Sequence, residues 1–103
     1  MSEKRQGQAD VAVAPRRKAA RARKFRVLLF NDDYTTMEFV VHVLESIFRK
    51  SPDEAVRIMR LVHNEGRGIA GTYPKDVAET KVITVHEAAR SAGFPLRAGM
   101  EEE

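Results

Sequence analysis

Cysteine is absent from this sequence, so it has neither a disulfide framework nor a thiolate for catalysis or metal binding. That fits a reducing compartment. No apolar run reaches the roughly 20 residues that a membrane-spanning helix needs. Val11-Ala12-Val13-Ala14 is too short for the hydrophobic region of a secretory signal. The sequence has no internal repeat, no Gly-x-Ser-x-Gly elbow, no P-loop and no His-Glu-x-x-His pair. The glycines of residues 66–71 lack the strand–turn–helix context of a dinucleotide site. The expectation is a soluble cytoplasmic protein. Its 103 residues, 43% of them hydrophobic, suffice for one domain with a modest core.

The net charge of +3 conceals an uneven distribution. Residues 1–26 hold nine Lys/Arg against two Asp/Glu, a balance of +7; residues 27–103 hold nine against thirteen, a balance of −4. Residues 1–23 contain no aromatic residue and no sustained apolar period, which predicts a disordered basic extension ahead of a folded domain over 24–103. A basic arm can attract nucleic acid. The domain is acidic and does not interleave aromatic with basic residues, so it adds nothing to that reading.

Within the domain, residues 24–30 (KFRVLLF) suit a strand. Thr35 and Glu38 form a capping-box pattern, after which Met37, Val40, Val41, Leu44, Ile47 and Phe48 recur at helical spacing. Ser51, Pro52 and Glu54 open a second helix with Ala55, Ile58, Met59 and Val62 on its apolar stripe, and Gly66 ends it. Residues 67–73 suit a short strand. Pro74 opens a third helix carrying Val77, Ala78, Val82, Val85 and Ala89, ended near Gly93, and residues 94–100 read as a weak last strand. The order βααβαβ predicts an α+β domain with three helices on a small, mostly antiparallel sheet of three strands.

The chemically unusual place is Asn31-Asp32-Asp33, between the first strand and the first helix. Alone, such a run is an ordinary turn. Here it is bordered by Leu29, Phe30, Met37 and Val40. Adjacent carboxylates seldom form a catalytic acid–base pair, which needs two groups held apart across a substrate. A metal site from Asp32, Asp33 and His63 lacks paired-ligand spacing. His63 follows Met59 by one turn near the end of the second helix, whereas His42 and His86 fall on outward positions and read as solvated.

Three blocks, NDDYTTMEFVVHVL (31–44), MRLVHNEGRGIAGTYPKDVAETKV (59–82) and AARSAGFPL (88–96), resemble the ClpS family, adaptors that deliver N-end-rule substrates to the ClpAP protease. The resemblance covers about residues 24–98. It implies the same βααβαβ fold and no catalysis or cofactor. It implies that Asn31, Asp33 and His63 grip a free α-amino group, with Asp32 adding negative potential. Leu29, Phe30, Thr35, Met37, Val40, Met59, Val62 and Leu96 match the positions lining a pocket for a first side chain of Leu, Phe, Tyr or Trp. Asp76, Glu79 and Lys81 match a surface that docks the N-terminal domain of ClpA, and the extension would enter the unfoldase. The implied partners are substrate proteins and that unfoldase, met by a monomer, with neither nucleic acid nor membrane. Thr36 stands where the family motif often has proline, and the Cys-Thr often found after the leucine is missing beyond Leu96. Three other readings stay open: a metal-assisted hydrolase using Asp32, Asp33 and His63, a nucleic-acid-binding module acting through the arm, and a ClpS-like domain serving another unfoldase.

Overall fold

The computed structural model of the chain describes residues 23–103. Apart from Arg23, the residues of the basic extension, for which disorder is expected, lie outside that range. The elements follow in the order β1 (Lys24–Phe30), α1 (Met37–Ser46), α2 (Pro52–Glu65), β2 (Arg67–Pro74), α3 (Lys75–Ala92) and β3 (Arg97–Glu102). The three strands form one antiparallel sheet in the order β2-β1-β3, with all three helices on one face.

Strand alternation decides which residues of β1 enter the core. Val27 and Leu29 point toward the helices and are fully buried. Arg26, Leu28 and Phe30 point to the opposite face. Val27 pairs with Gly71 and Leu28 with Ile69, so Ala70 is an extra residue in β2, a bulge that turns its methyl group into the core. Val40, Val43 and Leu44 of α1 meet Ala55, Ile58 and Val62 of α2, while Ala78, Val85 and Ala89 of α3 cover the sheet. Complete burial of each larger aliphatic side chain stabilises the fold by about 1.5–3 kcal/mol.

The helix starts depart from expectation in two details. The cap of α1 is Thr36, whose hydroxyl accepts from the Phe39 N–H at 3.1 Å, not Thr35. Thr35 is drawn into the preceding turn by Asp32. At α2 the Ser51 hydroxyl accepts from the Glu54 N–H as expected, but the Glu54 carboxylate binds the Arg57 guanidinium at 2.9 Å instead of turning back to close a box. That exposed pair lowers the Glu54 carboxyl and raises the Arg57 guanidinium from their ordinary values.

The last strand starts later than residue 94. Gly93 adopts the left-handed conformation (φ 84°), and the Phe94 N–H then donates to the Ala89 carbonyl at 2.9 Å, closing α3. Phe94 is thereby spent on the helix end, and its ring packs on Phe39 with centroids 4.9 Å apart. Pairing begins beyond Pro95, at Arg97, and runs to Glu102. His86 is not solvated: its Nε2 accepts the Ala98 N–H at 3.0 Å and ties β3 to α3. His42 is exposed.

Candidate functional site

The turn after β1 is held at both ends. The Asn31 N–H donates to the carbonyl of Gly66 at 2.9 Å, and Gly66 is the left-handed residue (φ 91°) that ends α2. This bond brings the Asn31-Asp32-Asp33 run beside the last turn of α2, where His63 lies. Asp32 organises the turn from within. Its carboxylate accepts the Tyr34 N–H at 2.8 Å, the Thr35 N–H at 2.7 Å and the Thr35 hydroxyl at 2.7 Å. Partial burial pushes the Asp32 carboxyl upward, but those bonds from Thr35 and Tyr34 outweigh it and hold the carboxyl below its ordinary value.

A depressed carboxyl stabilises the folded turn fully above its ordinary value of 3.8, and that stabilisation is lost as pH falls through the lower folded value. The amide resonances of Tyr34 and Thr35 should therefore shift together in an NMR titration, with a midpoint below 3.8. Asp32→Ala should abolish that transition and destabilise the turn by about 1 kcal/mol, the typical value of a lost Asp cap. A shared midpoint at or above 3.8 would show that Asp32 does not hold the turn.

With Asp32 so occupied, the side chains of Asn31, Asp33 and His63 make no hydrogen bond to other described residues, and all three are exposed. They stand around a cavity of about 430 Å³ whose lining includes Asn31, Asp32, Asp33 and His63 together with Thr35, Met37, Val40, Met59 and Val62. Among the described residues, no Lys or Arg lines it. Val40 and Val62 are buried and form the apolar floor, and Met37, 48% exposed, stands at the rim. Tyr34 and Thr36 also line the cavity. Neither stands out in the sequence except by its place inside the turn.

Three residues matched to the pocket by resemblance do not line this cavity. Leu29 is 0% exposed in the central strand, with its side chain in the shared core. Phe30 is on the opposite face of the sheet. Leu96, 3% exposed, packs by Ala89 and His86 at the far end of α3. Among the described residues, no group of three or more His, Asp or Glu is placed to hold a metal ion. Among them, too, no helix is long and apolar enough to cross a membrane.

Of the residues matched to docking, Asp76 and Lys81 border a separate groove of about 470 Å³ between the end of α1 and the start of α3, with Ser46, Ile47 and Val77 among its walls. Glu79 is exposed on α3 outside that groove. Lys81 is committed to the fold: its Nζ donates to the Ile47 carbonyl at 2.7 Å and lies over the rings of Phe48 and Tyr73.

An acid-rimmed, apolar-floored cleft thus stands on a small α+β scaffold of three helices and one sheet. Residues 20–99 match the family model for the ATP-dependent Clp protease adaptor protein ClpS. The chain belongs to the ClpS family. It is 58% identical over 94 residues to the ATP-dependent Clp protease adapter protein ClpS of Desulfatibacillum aliphaticivorans, covering 91% of this chain and 90% of that one. It is 60% identical over 83 residues to the protein of the same name from Wolinella succinogenes, covering 81% of each chain. The structure of Agrobacterium tumefaciens ClpS2 bound to L-phenylalaninamide is similar with a TM-score of 0.77 and 39% identity, over 80% of this chain and 99% of that one. The family serves the Clp protease as adaptors, which places this chain in protein degradation.

Proposed function

We propose that the cleft binds the free N-terminus of proteins beginning with Leu, Phe, Tyr or Trp, and that the chain delivers them to a ClpA-type unfoldase and its ClpP protease. The observation that carries this reading is the juxtaposition of hydrogen-bond acceptors on the rim with an apolar floor. An α-amino group has a pKa of about 8, so at neutral pH it is mostly a cation with three donors. Asn31 Oδ1, the Asp33 carboxylate and an unprotonated nitrogen of His63 are acceptors. The side chain attached to the same Cα then enters the space among Met37, Val40, Met59 and Val62. A volume of about 430 Å³ lies at the small end of ligand sites, which span about 300–1,000 Å³, and suits one residue rather than a long segment. L-phenylalaninamide, held by the Agrobacterium tumefaciens relative, has a free α-amino group and an aromatic side chain, and so the chemistry this cleft would accept.

Burying a large apolar side chain contributes about 1.5–3 kcal/mol, which favours these four residues over Ala or a charged residue. Peptides that differ only in their first residue test this directly by fluorescence anisotropy. Leu, Phe, Tyr and Trp should bind about tenfold or more tighter than Ala. Equal affinities across the set would remove the first side chain from recognition.

Met37 sets the shape of the entrance. Its place at the rim crowds the β-carbon of a bound residue, which disfavours branching there. Met37→Ala should raise affinity for Val- and Ile-initial peptides by about tenfold, as expected where relieved crowding is worth about 1–3 kcal/mol. An unchanged order of affinities in the variant would show that Met37 is not a gate. Docking to the N-terminal domain of the unfoldase is assigned to the exposed side of α3 that bears Asp76 and Glu79. Lys81 shapes that surface by fixing the end of α1.

A further inference from the structure

Behind the cleft, on the sheet face turned away from the helices, lies a row of residues with the opposite charge. Phe30 pairs with Arg67 of β2 on one side and with Arg97 of β3 on the other. Partners at one register stand on one face, with Cβ atoms about 4.5–5.5 Å apart, so an arginine side chain starts on either side of Phe30. Phe30 leans over Gly99, where an added Cβ would lie 3.1 Å from the ring. Beside it opens a hollow of about 350 Å³ lined by Phe30, Asn31 and Arg97. Asn31 also lines the amine cleft, so the two concavities share a wall.

Both arginines are exposed, and among the described residues neither has an acidic partner. Arg26 and Arg57, in contrast, pair with Glu101 and Glu54. Among the described residues, no Lys or Arg lines the cleft and no Asp or Glu lines the adjoining hollow. We propose that this shelf receives the residues that follow the first one in a bound substrate, and that Arg67 and Arg97 select acidic side chains there. The inference rests on the reading that the cleft holds a free N-terminus. An extended peptide advances about 3.3 Å per residue, so a chain leaving the cleft over Asn31 meets the Phe30 row within its next few residues. Phe30 supplies a flat apolar surface for the peptide stem and the guanidinium groups supply paired donors for carboxylates.

The test uses the full chain and three Phe-initial peptides, identical except that residues 2–4 are Glu, Ser or Lys, titrated by fluorescence anisotropy at near-physiological salt. The acidic peptide should bind about fivefold tighter than the basic one, the size expected of one or two exposed ion pairs. In the double variant Arg67→Thr/Arg97→Thr that preference should vanish while the Ser peptide keeps its affinity, and in Arg67→Lys/Arg97→Lys it should survive. Equal binding of the Glu and Lys peptides to the unaltered chain, or tighter binding of the Lys peptide, overturns the inference. A preference that persists in the threonine variant also overturns it and assigns the selection to the basic N-terminal residues. An N-acetylated Ser peptide separates the two levels. If acetylation abolishes binding but residues 2–4 do not matter, the shelf fails and the cleft stands; if acetylation has no effect, the reading of the cleft itself fails.

Discussion

A Phe-initial peptide should lose about a hundredfold in affinity, or about 3 kcal/mol, when its N-terminus is acetylated. Acetylation removes the positive charge and two of the three donors, and it places a methyl-carbonyl group against the rim formed by Asn31, Asp33 and His63. Each hydrogen bond to a charged group contributes about 1.5–3 kcal/mol, and the sum is reduced because the three acceptors act on one ligand atom. The same reasoning orders the single substitutions. Asp33→Ala should weaken binding more than Asn31→Ala, since only the carboxylate neutralises the ammonium. His63→Ala should weaken it least, because one exposed neutral acceptor is lost and water can replace it. One peptide with and without the acetyl group, titrated against the same protein, decides the matter. Equal affinities would remove N-terminal recognition and leave the turn a purely structural element.

The second large effect concerns stability. Leu29→Ala should destabilise the domain by about 2–5 kcal/mol, the range for truncating a fully buried leucine. Leu29 is the core residue beside Val27 in the strand that joins the other two and packs under α3, so the truncation opens a void in the shared core of the domain. A pocket residue would behave differently: its truncation would weaken peptide binding with little loss of stability. Urea unfolding and peptide titration of the same variant separate the alternatives. A normal unfolding midpoint with weakened binding would return Leu29 to the pocket wall.

Element types and order were legible because the local signals agreed: β-branched and aromatic residues in β1, caps and helical apolar spacing in the three helices, and Gly66 and Gly93 at two helix ends. Element ends depart from the sequence pattern where a residue has a competing partner. Thr35 and Thr36 are both competent caps, and Asp32 decides between them by capturing Thr35. The start of β3 moved because Phe94 closes α3 before the strand can begin. At the end of α1 the chain places Arg49 in the left-handed region (φ 58°) without a glycine to announce it. The cleft was legible in its polar members, which sit in one turn and one helix end. Apolar members were harder, since Leu29, Phe30, Val40 and Val62 look alike in sequence. Strand parity sends Leu29 and Phe30 to opposite faces of the sheet, and neither face is the cleft. The role of His86 is not visible in local sequence because its partner, the Ala98 N–H, lies twelve residues away across a helix–strand contact.

The central position of β1 also has a mechanical consequence. The strand enters at Lys24, whose carbonyl accepts the Glu103 N–H at 2.9 Å, and leaves at Phe30, beside the cleft. Those ends are about 20 Å apart at about 3.3 Å per residue. A pull directed along the strand axis on the chain ahead of Lys24 therefore enters the domain at the end remote from the cleft. The bonds to β2 and β3 lie across that axis, so they share the load in shear instead of opening one at a time like a zipper. Resistance to forced unfolding is set by the unfolding rate. A strand clamped on both flanks gives way slowly, so tension on the N-terminal segment can be borne by the sheet while the cleft keeps its shape.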